Sequence, residues 1–222
     1  MNTRDYFLWF STINELFLGD KEKLIQCFGN PKTLWNVSVK DMLNNGFNKR
    51  ITYIIDYSRK TFDPNQVNKK IEQIGIKYVA FCDENYPRRL KEMYCPPIGL
   101  FFKGELPDDS RPSVAVIGAR LCSDYGKLIT DKLVSELAKT GVQIISGLAM
   151  GIDGYAHKAA LSVSGKTYGI LGTGIDKIYP NENTALFHNM YLKGGVISEY
   201  YVGCKNRKTN FVIGERKYLF PR

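Results

Sequence analysis

Val114-Ala-Val-Ile-Gly-Ala-Arg120 and Val142-Gln-Ile-Ile-Ser-Gly-Leu-Ala-Met-Gly-Ile-Asp153 are the two stretches that decide the fold. Each opens as a short run of β-branched residues and closes in a glycine-bearing turn, the pattern of a buried parallel strand running into a loop. Between them, Tyr125 to Lys139 reads as a helix, with Ile129, Leu133 and Leu137 stacked on one face and Gly141 at its end. The unit then repeats. Ile152 to Leu161 is a second helix, Thr167-Tyr-Gly-Ile-Leu171 a third strand ending in Gly172-Thr-Gly174, and a helix near residues 182–192 leads to the strand Gly195-Val-Ile197. Repeated strand–helix–strand units predict an α/β, Rossmann-like parallel sheet with right-handed crossovers and helices on both faces.

In such a sheet ligands bind beyond the carboxyl ends of the strands. Four turns fall there: Gly118-Ala-Arg120, Ser146-Gly147 through Gly151, Gly172-Thr-Gly174, and Ser198-Glu199. Glycine lets backbone approach a ligand, helix N-termini present free N–H groups, and Arg120 adds a fork of donors suited to phosphate oxygens. Lys166 precedes the third strand and so belongs to the opposite end of the sheet unless its loop folds over. Standard nucleotide motifs fail. Gly165-Lys-Thr167 lacks the first glycine of a phosphate loop and is followed by a strand, and Gly172-Thr-Gly174 has no third glycine. Asp153 and His157, four apart on one helix, could form an acid/base pair or serve the helix terminus and local packing. With no serine elbow and no His-Glu-x-x-His, the expectation is a non-enzymatic binding protein with no cofactor, no metal and no catalytic residues.

Upstream, residues 1–75 read as short helices. Leu24, Ile25 and Phe28 cluster at helical spacing, Gly29-Asn30-Pro31 breaks the chain, and Ser38 with Asp41 forms a weak capping pattern. The turn Asn44-Asn45-Gly46 between short helices is similar to a helix-hairpin-helix or SAM-like module, although a plain helical bundle fits as well. The strands Ile76–Phe81 and Ile98–Lys103 open a second domain, residues 76–222. Over 222 residues the 31 Lys and Arg exceed the 22 Asp and Glu by nine, which favours a polyanionic partner. Residues 205–222 alone carry Lys205, Arg207, Lys208, Arg216, Lys217 and Arg222 against Glu215, interleaved with Phe211, Tyr218 and Phe220, the composition of a single-strand groove. The five scattered cysteines, lacking any C-x-x-C pair, fit a reducing cytoplasm, and no apolar run is long enough for a membrane.

The ordered set Val116-Ile-Gly-Ala-Arg120, Ser146-Gly-Leu-Ala-Met-Gly-Ile-Asp153, Ala156-His157, Gly165-Lys-Thr167, Leu171-Gly-Thr-Gly-Ile175, Tyr179-Pro-Asn-Glu-Asn183 and Ile197-Ser-Glu199 resembles the DNA-processing protein A family (DprA, also called Smf). Tyr86-Pro87, Leu90, Pro96-Pro97 and Leu100-Phe-Phe-Lys-Gly104 resemble it too. The resemblance implies an extended Rossmann domain that binds single-stranded DNA in natural transformation, protects it, helps load the RecA recombinase and dimerises. It implies that Gly118, Arg120, Ser146 and Gly147 lie in the DNA pocket, with Lys166 if its loop wraps over; Gly151, Gly172 and Gly174 of the turns and Arg222 of the basic tail complete the expected DNA contacts. The family's F-P-x-R-N-R motif starts at Phe220-Pro-Arg222, where this sequence stops. The chain therefore reads as C-terminally truncated, with an unpaired sheet edge and an exposed apolar helix face. A truncated, inactive fragment is one alternative. The other is a nucleotide-processing phosphoribohydrolase-like enzyme, whose Pro-Gly-Gly signature is missing here.

Overall fold

The structure is a computed structural model that describes residues 1–178 and 183–204. Six helices come first: α1 (Thr3–Thr12), α2 (Leu18–Phe28), α3 (Pro31–Asn36), α4 (Val39–Asn44), α5 (Lys49–Thr61) and α6 (Pro64–Gln73). Local chemistry sets their ends. Asn2 and Asp5 cap α1 reciprocally, the Asn2 side chain accepting from the Asp5 amide and the Asp5 carboxylate from the Asn2 amide. The Gly29-Asn30-Pro31 break is a helix junction: Gly29 takes a φ of 83° past α2, Asn30 caps α3 and Pro31 starts it. Ser38 caps α4 by accepting from the Asp41 amide. Trp9, Phe10, Leu24, Leu34, Met42 and Ile55 are fully buried among these helices. The Trp9 indole donates to the Ser58 hydroxyl at 2.9 Å, and the Arg59 guanidinium donates to the carbonyls of Leu34 and Val37 at the end of α3.

The remainder comprises β1 (Lys77–Ala80), α7 (Arg88–Lys91), β2 (Gly99–Gly104), β3 (Ser113–Ala115), α8 (Asp124–Lys139), β4 (Gln143–Ser146), α9 (Ile152–Ser162), β5 (Thr167–Leu171), α10 (Thr184–Lys193) and β6 (Gly194–Ser198). One six-stranded sheet runs in the order β1-β2-β6-β5-β4-β3. The last four strands pair in parallel, with Ile145 beside Tyr168 and Gly169 beside Val196. β1 and β2 join antiparallel, so the sheet is mixed rather than wholly parallel.

Three successive crossovers step across the sheet in the same direction. With one handedness they place α8, α9 and α10 on a single face. The other face, expected to carry helices as well, is closed by the one-turn α7 and irregular chain. Phe81, Tyr86 and Leu90 pack there on Val79, Leu100, Phe102, Tyr168 and Ile197, and the Tyr86 hydroxyl donates to the Pro97 carbonyl at 2.8 Å. A doubly wound sheet needs the strand order to reverse; among the described residues the parallel strands run without a reversal. Phe7, Leu8 and Ile71 share one core with Phe101, Met190 and Val196, so packing is continuous across residue 75.

The buried stripe of α8 is Thr130, Val134 and Ala138, with Leu133 exposed, one residue away from the stripe expected at Ile129, Leu133 and Leu137. Small side chains let α8 lie close against Ala156, Ala159 and Ala160 of α9, and that closeness decides which face is buried. β3 is three residues long and sits at the sheet edge, with Val114 exposed rather than buried. Ile117, Leu121, Tyr125 and Leu128 are exposed nearby.

His157 lies wholly inside this core. Its Nδ1 is 2.7 Å from the Thr167 hydroxyl, which itself donates to the Ile144 carbonyl, so the ring must be the donor and Nδ1 carries the proton. Burial drives the imidazole pKa down to about 3. The unfolded chain therefore binds an extra proton between pH ~6.5 and the folded value, and stability falls as pH drops through that window, by up to ~1.4 kcal/mol per pH unit. Above pH ~6.5 the group contributes no pH dependence. His157→Gln, which can keep the donor, is expected to give urea midpoints that gain on the wild type from pH 7 to pH 4. A constant difference across those pH values would refute the assignment.

Candidate nucleic-acid interface

The four turns named from the sequence do meet at the carboxyl rim of the parallel strands, stitched together by short bonds. The Ser146 hydroxyl at the end of β4 donates to the Val116 carbonyl at 2.6 Å, joining the first turn to the second. The Ile152 amide donates to the Ala119 carbonyl at 3.2 Å. Asn183 donates to the carbonyls of Leu148 and Ala149, and the Ser198 hydroxyl donates to the Thr173 carbonyl at 2.6 Å.

Gly151 starts α9 at a φ of 78°, where a Cβ would run into the carbonyl oxygens of Ala119 and Arg120. Gly118 packs on the Ile152 side chain, 2.6 Å from where its Cβ would lie. Gly174 donates its amide to the Cys204 carbonyl at 3.0 Å and sits beneath the Tyr201 carbonyl, while Gly172 is buried after β5. These glycines serve loop-to-loop contact.

Asp153, in the first turn of α9, is 2% exposed. Its carboxylate accepts from the Gly147 amide at 3.1 Å, and the amides of Ala149 and Gly118 add to the local field that favours the charged form. Burial pushes its pKa up, while those amides pull it down. The N–H of Gly147, in a turn expected to contact DNA, is thus spent on a carboxylate of the same chain. Asp153 and His157 do not work as a pair: one binds the Gly147 amide and the other binds Thr167.

What the rim offers outward is side chains. Arg120 is exposed in the first turn. Tyr155, whose amide bonds to the Gly151 carbonyl, has the Lys127 ammonium 5.8 Å and the Lys158 ammonium 5.6 Å from its ring centre. Lys127 also pairs with Asp124 at 2.8 Å. This ring beside two lysines escaped the sequence reading. The spacing of Tyr155 and Lys158 along one helix was a visible signal, whereas Lys127 arrives only when α8 packs on α9. Lys166 is absent from the rim. It lies before β5 at the other end of the sheet and pairs with Glu105 at 2.6 Å, holding that carboxyl below its usual range. Arg222 and the basic stretch 205–222 lie outside the described residues.

A cavity of about 300 Å³ opens beyond β6, between α1, α2 and the segment around Pro96-Pro97. Phe7, Phe10 and Ile98 make it largely apolar, and Glu22 and Glu199 offset Lys21, whose ammonium burial lowers to about 8. Such walls do not suit a phosphate chain. Among the described residues no group of His, Cys, Asp and Glu could hold a metal ion, and no helix is long and apolar enough to cross a membrane.

Removing the Asp153 carboxylate leaves the buried amide of Gly147 without its acceptor, at about 1–3 kcal/mol. Asp153→Ala should lower the unfolding free energy accordingly in a urea titration, and Asp153→Asn, which retains an acceptor, should lose less. Equal stability of Asp153→Ala and the wild type would remove the carboxylate from this role.

A sequence model of the DNA recombination-mediator protein A family matches residues 77–217. Protein Smf of Synechocystis is 37% identical over 175 residues, 77% of this chain and 44% of that protein. DNA processing protein DprA of Streptococcus pneumoniae is 43% identical over 137 residues, 62% of this chain and 48% of that one. The chain thus spans about half the length of these curated relatives. The X-ray structure of the S. pneumoniae protein superposes with a TM-score of 0.75 at 29% identity, covering 98% of this chain and 75% of that one. DNA processing protein A of Helicobacter pylori, studied for its single-stranded DNA binding mode, gives a TM-score of 0.55 at 32% identity over 63% of each chain. This chain belongs to the DNA recombination-mediator protein A family, the DprA/Smf proteins of DNA processing.

Proposed function

We propose that this chain binds single-stranded DNA along the carboxyl rim of its sheet, as a binding protein rather than an enzyme. The observation that carries the reading is Tyr155 with the ammonium groups of Lys127 and Lys158 5.8 Å and 5.6 Å from its ring centre, one helical turn from the loop that presents Arg120. Cations track phosphates and a ring offers a face to an unpaired base. The DNA-binding H. pylori relative and the net charge of +9 support the same partner. The two residues best placed in sequence for acid/base work have other duties, Asp153 as the acceptor of the Gly147 amide and His157 as a sealed neutral ring. In this reading the protein covers incoming DNA in the cytoplasm during natural transformation, acts as a homodimer and assists RecA loading.

Binding to oligo-dT should weaken linearly in log affinity with log salt. Arg120→Ala and Lys158→Ala should each flatten that slope by about 0.7, the value of a single neutralised phosphate on a single strand. Tyr155→Ala should lose about 1–3 kcal/mol with the slope nearly unchanged. If folded protein fails to bind at low salt, the reading is wrong.

A further inference from the structure

A second aromatic surface lies on the helical part of the molecule. Tyr53 and Tyr57, one turn apart on α5, are 68% and 57% exposed. Their rings stack, with centres 6.1 Å apart and planes 18° from parallel. Two large rings held side by side in water are costly surface unless something covers them. They border a groove of about 410 Å³ whose walls include Trp9, Thr61, Gln66 and Tyr201.

Tyr201 joins this groove to the rim. It follows β6, its ring lies 5.4 Å from that of Phe101, and its carbonyl sits over Gly174. The Lys70 ammonium is 5.6 Å from the Tyr201 ring centre. The groove therefore ends at Tyr201, whose backbone lies against Gly174 of the third turn.

We propose that Tyr53 and Tyr57 form a stacking platform for unpaired nucleobases, which extends the single-strand path from the sheet rim onto the helical domain. This rests on the reading of the rim as a DNA site. Charge favours a nucleic acid here: residues 49–73, which span α5 and α6, hold six Lys and Arg against Asp56, Asp63 and Glu72. Lys49, Lys60, Lys69 and Lys70 are exposed, with Lys60 paired to Asp56 at 2.6 Å. Two carboxylates also line the groove. Asp63 is engaged by the Asn65 and Gln66 amides at the start of α6, which spreads its charge into the helix terminus, while Glu15 is exposed. The phosphates would follow the lysines outside the groove and the bases would turn inward. A base-paired strand has no free face to offer, so the platform selects single strands.

The test compares the full chain binding an oligo-dT of about 5 nucleotides, enough for one site, and one of about 20, enough for both. Tyr53→Ala/Tyr57→Ala should weaken the long oligonucleotide about 5–100-fold and leave the short one within about twofold. Tyr53→Phe/Tyr57→Phe, which keeps both ring faces, should restore the long one. Arg120→Ala should weaken both lengths. Both positions are exposed, and an unchanged urea midpoint will certify the fold. If the wild type binds both lengths and the alanine pair matches it on the long one, the platform is wrong and the rings belong to another partner, such as a protein; the rim reading survives. If the wild type binds neither length, the rim reading falls and the platform with it.

Discussion

A buried carboxyl group organises the carboxyl rim of the sheet. Asp153 lies at the start of α9 and reaches back to the Gly147 amide in the turn before it. That bond offsets part of the cost of burying a carboxyl group. The Ser146 bond to the Val116 carbonyl and the Ile152 bond to the Ala119 carbonyl draw the turn after β3 onto the turn after β4. Because the loops must nearly touch, Gly118 and Gly151 cannot carry a Cβ. The glycines, the aspartate and the serine are therefore one construction. They read from sequence as a phosphate cradle, yet their first task is to build the rim from which Arg120 and the Tyr155 cluster project.

The second constraint is that the helices and the sheet share a core. Phe7 and Leu8 of α1 pack into the cluster containing Phe101 and Val196, and Arg4 reaches Asp83 and the Tyr78 carbonyl. Asn14 donates to the Val202 carbonyl at 3.1 Å, tying the helices to the chain just after β6. These contacts, rather than any one motif, place α5 and α6 beside Tyr201. A groove between two such elements keeps its shape only while the packing beneath it is fixed.

Much of this was legible along the chain. Strands over 143–146 and 167–171 and the helix ending at Lys139 stand where β-branched runs and glycine stops put them. The break at Gly29-Asn30-Pro31 worked as a helix junction because each residue has a strong local preference there. The misreadings share a cause. The stripe of α8, the cover on the second sheet face and the antiparallel entry of β1 and β2 each depend on what the element packs against, and local periodicity does not report that. Alanines and a threonine form the buried stripe of α8, and small side chains barely register in a hydrophobic pattern.

By itself, the sequence determined the repeating strand–helix units, the glycine turns at their ends and a basic surface suited to a polyanion, because propensity, chain reversal and net charge are local or additive. Tertiary structure alone decided which donors stay outward. Hydrogen bonds saturate, so once Asp153 folds against Gly147 that amide is no longer available to a ligand, and Lys166 is committed to Glu105 at the far end of the sheet. It also assembled Lys127, Tyr155 and Lys158 from two helices. A cluster drawn from separate elements has no signature along the chain, since its spacing exists only after those elements pack.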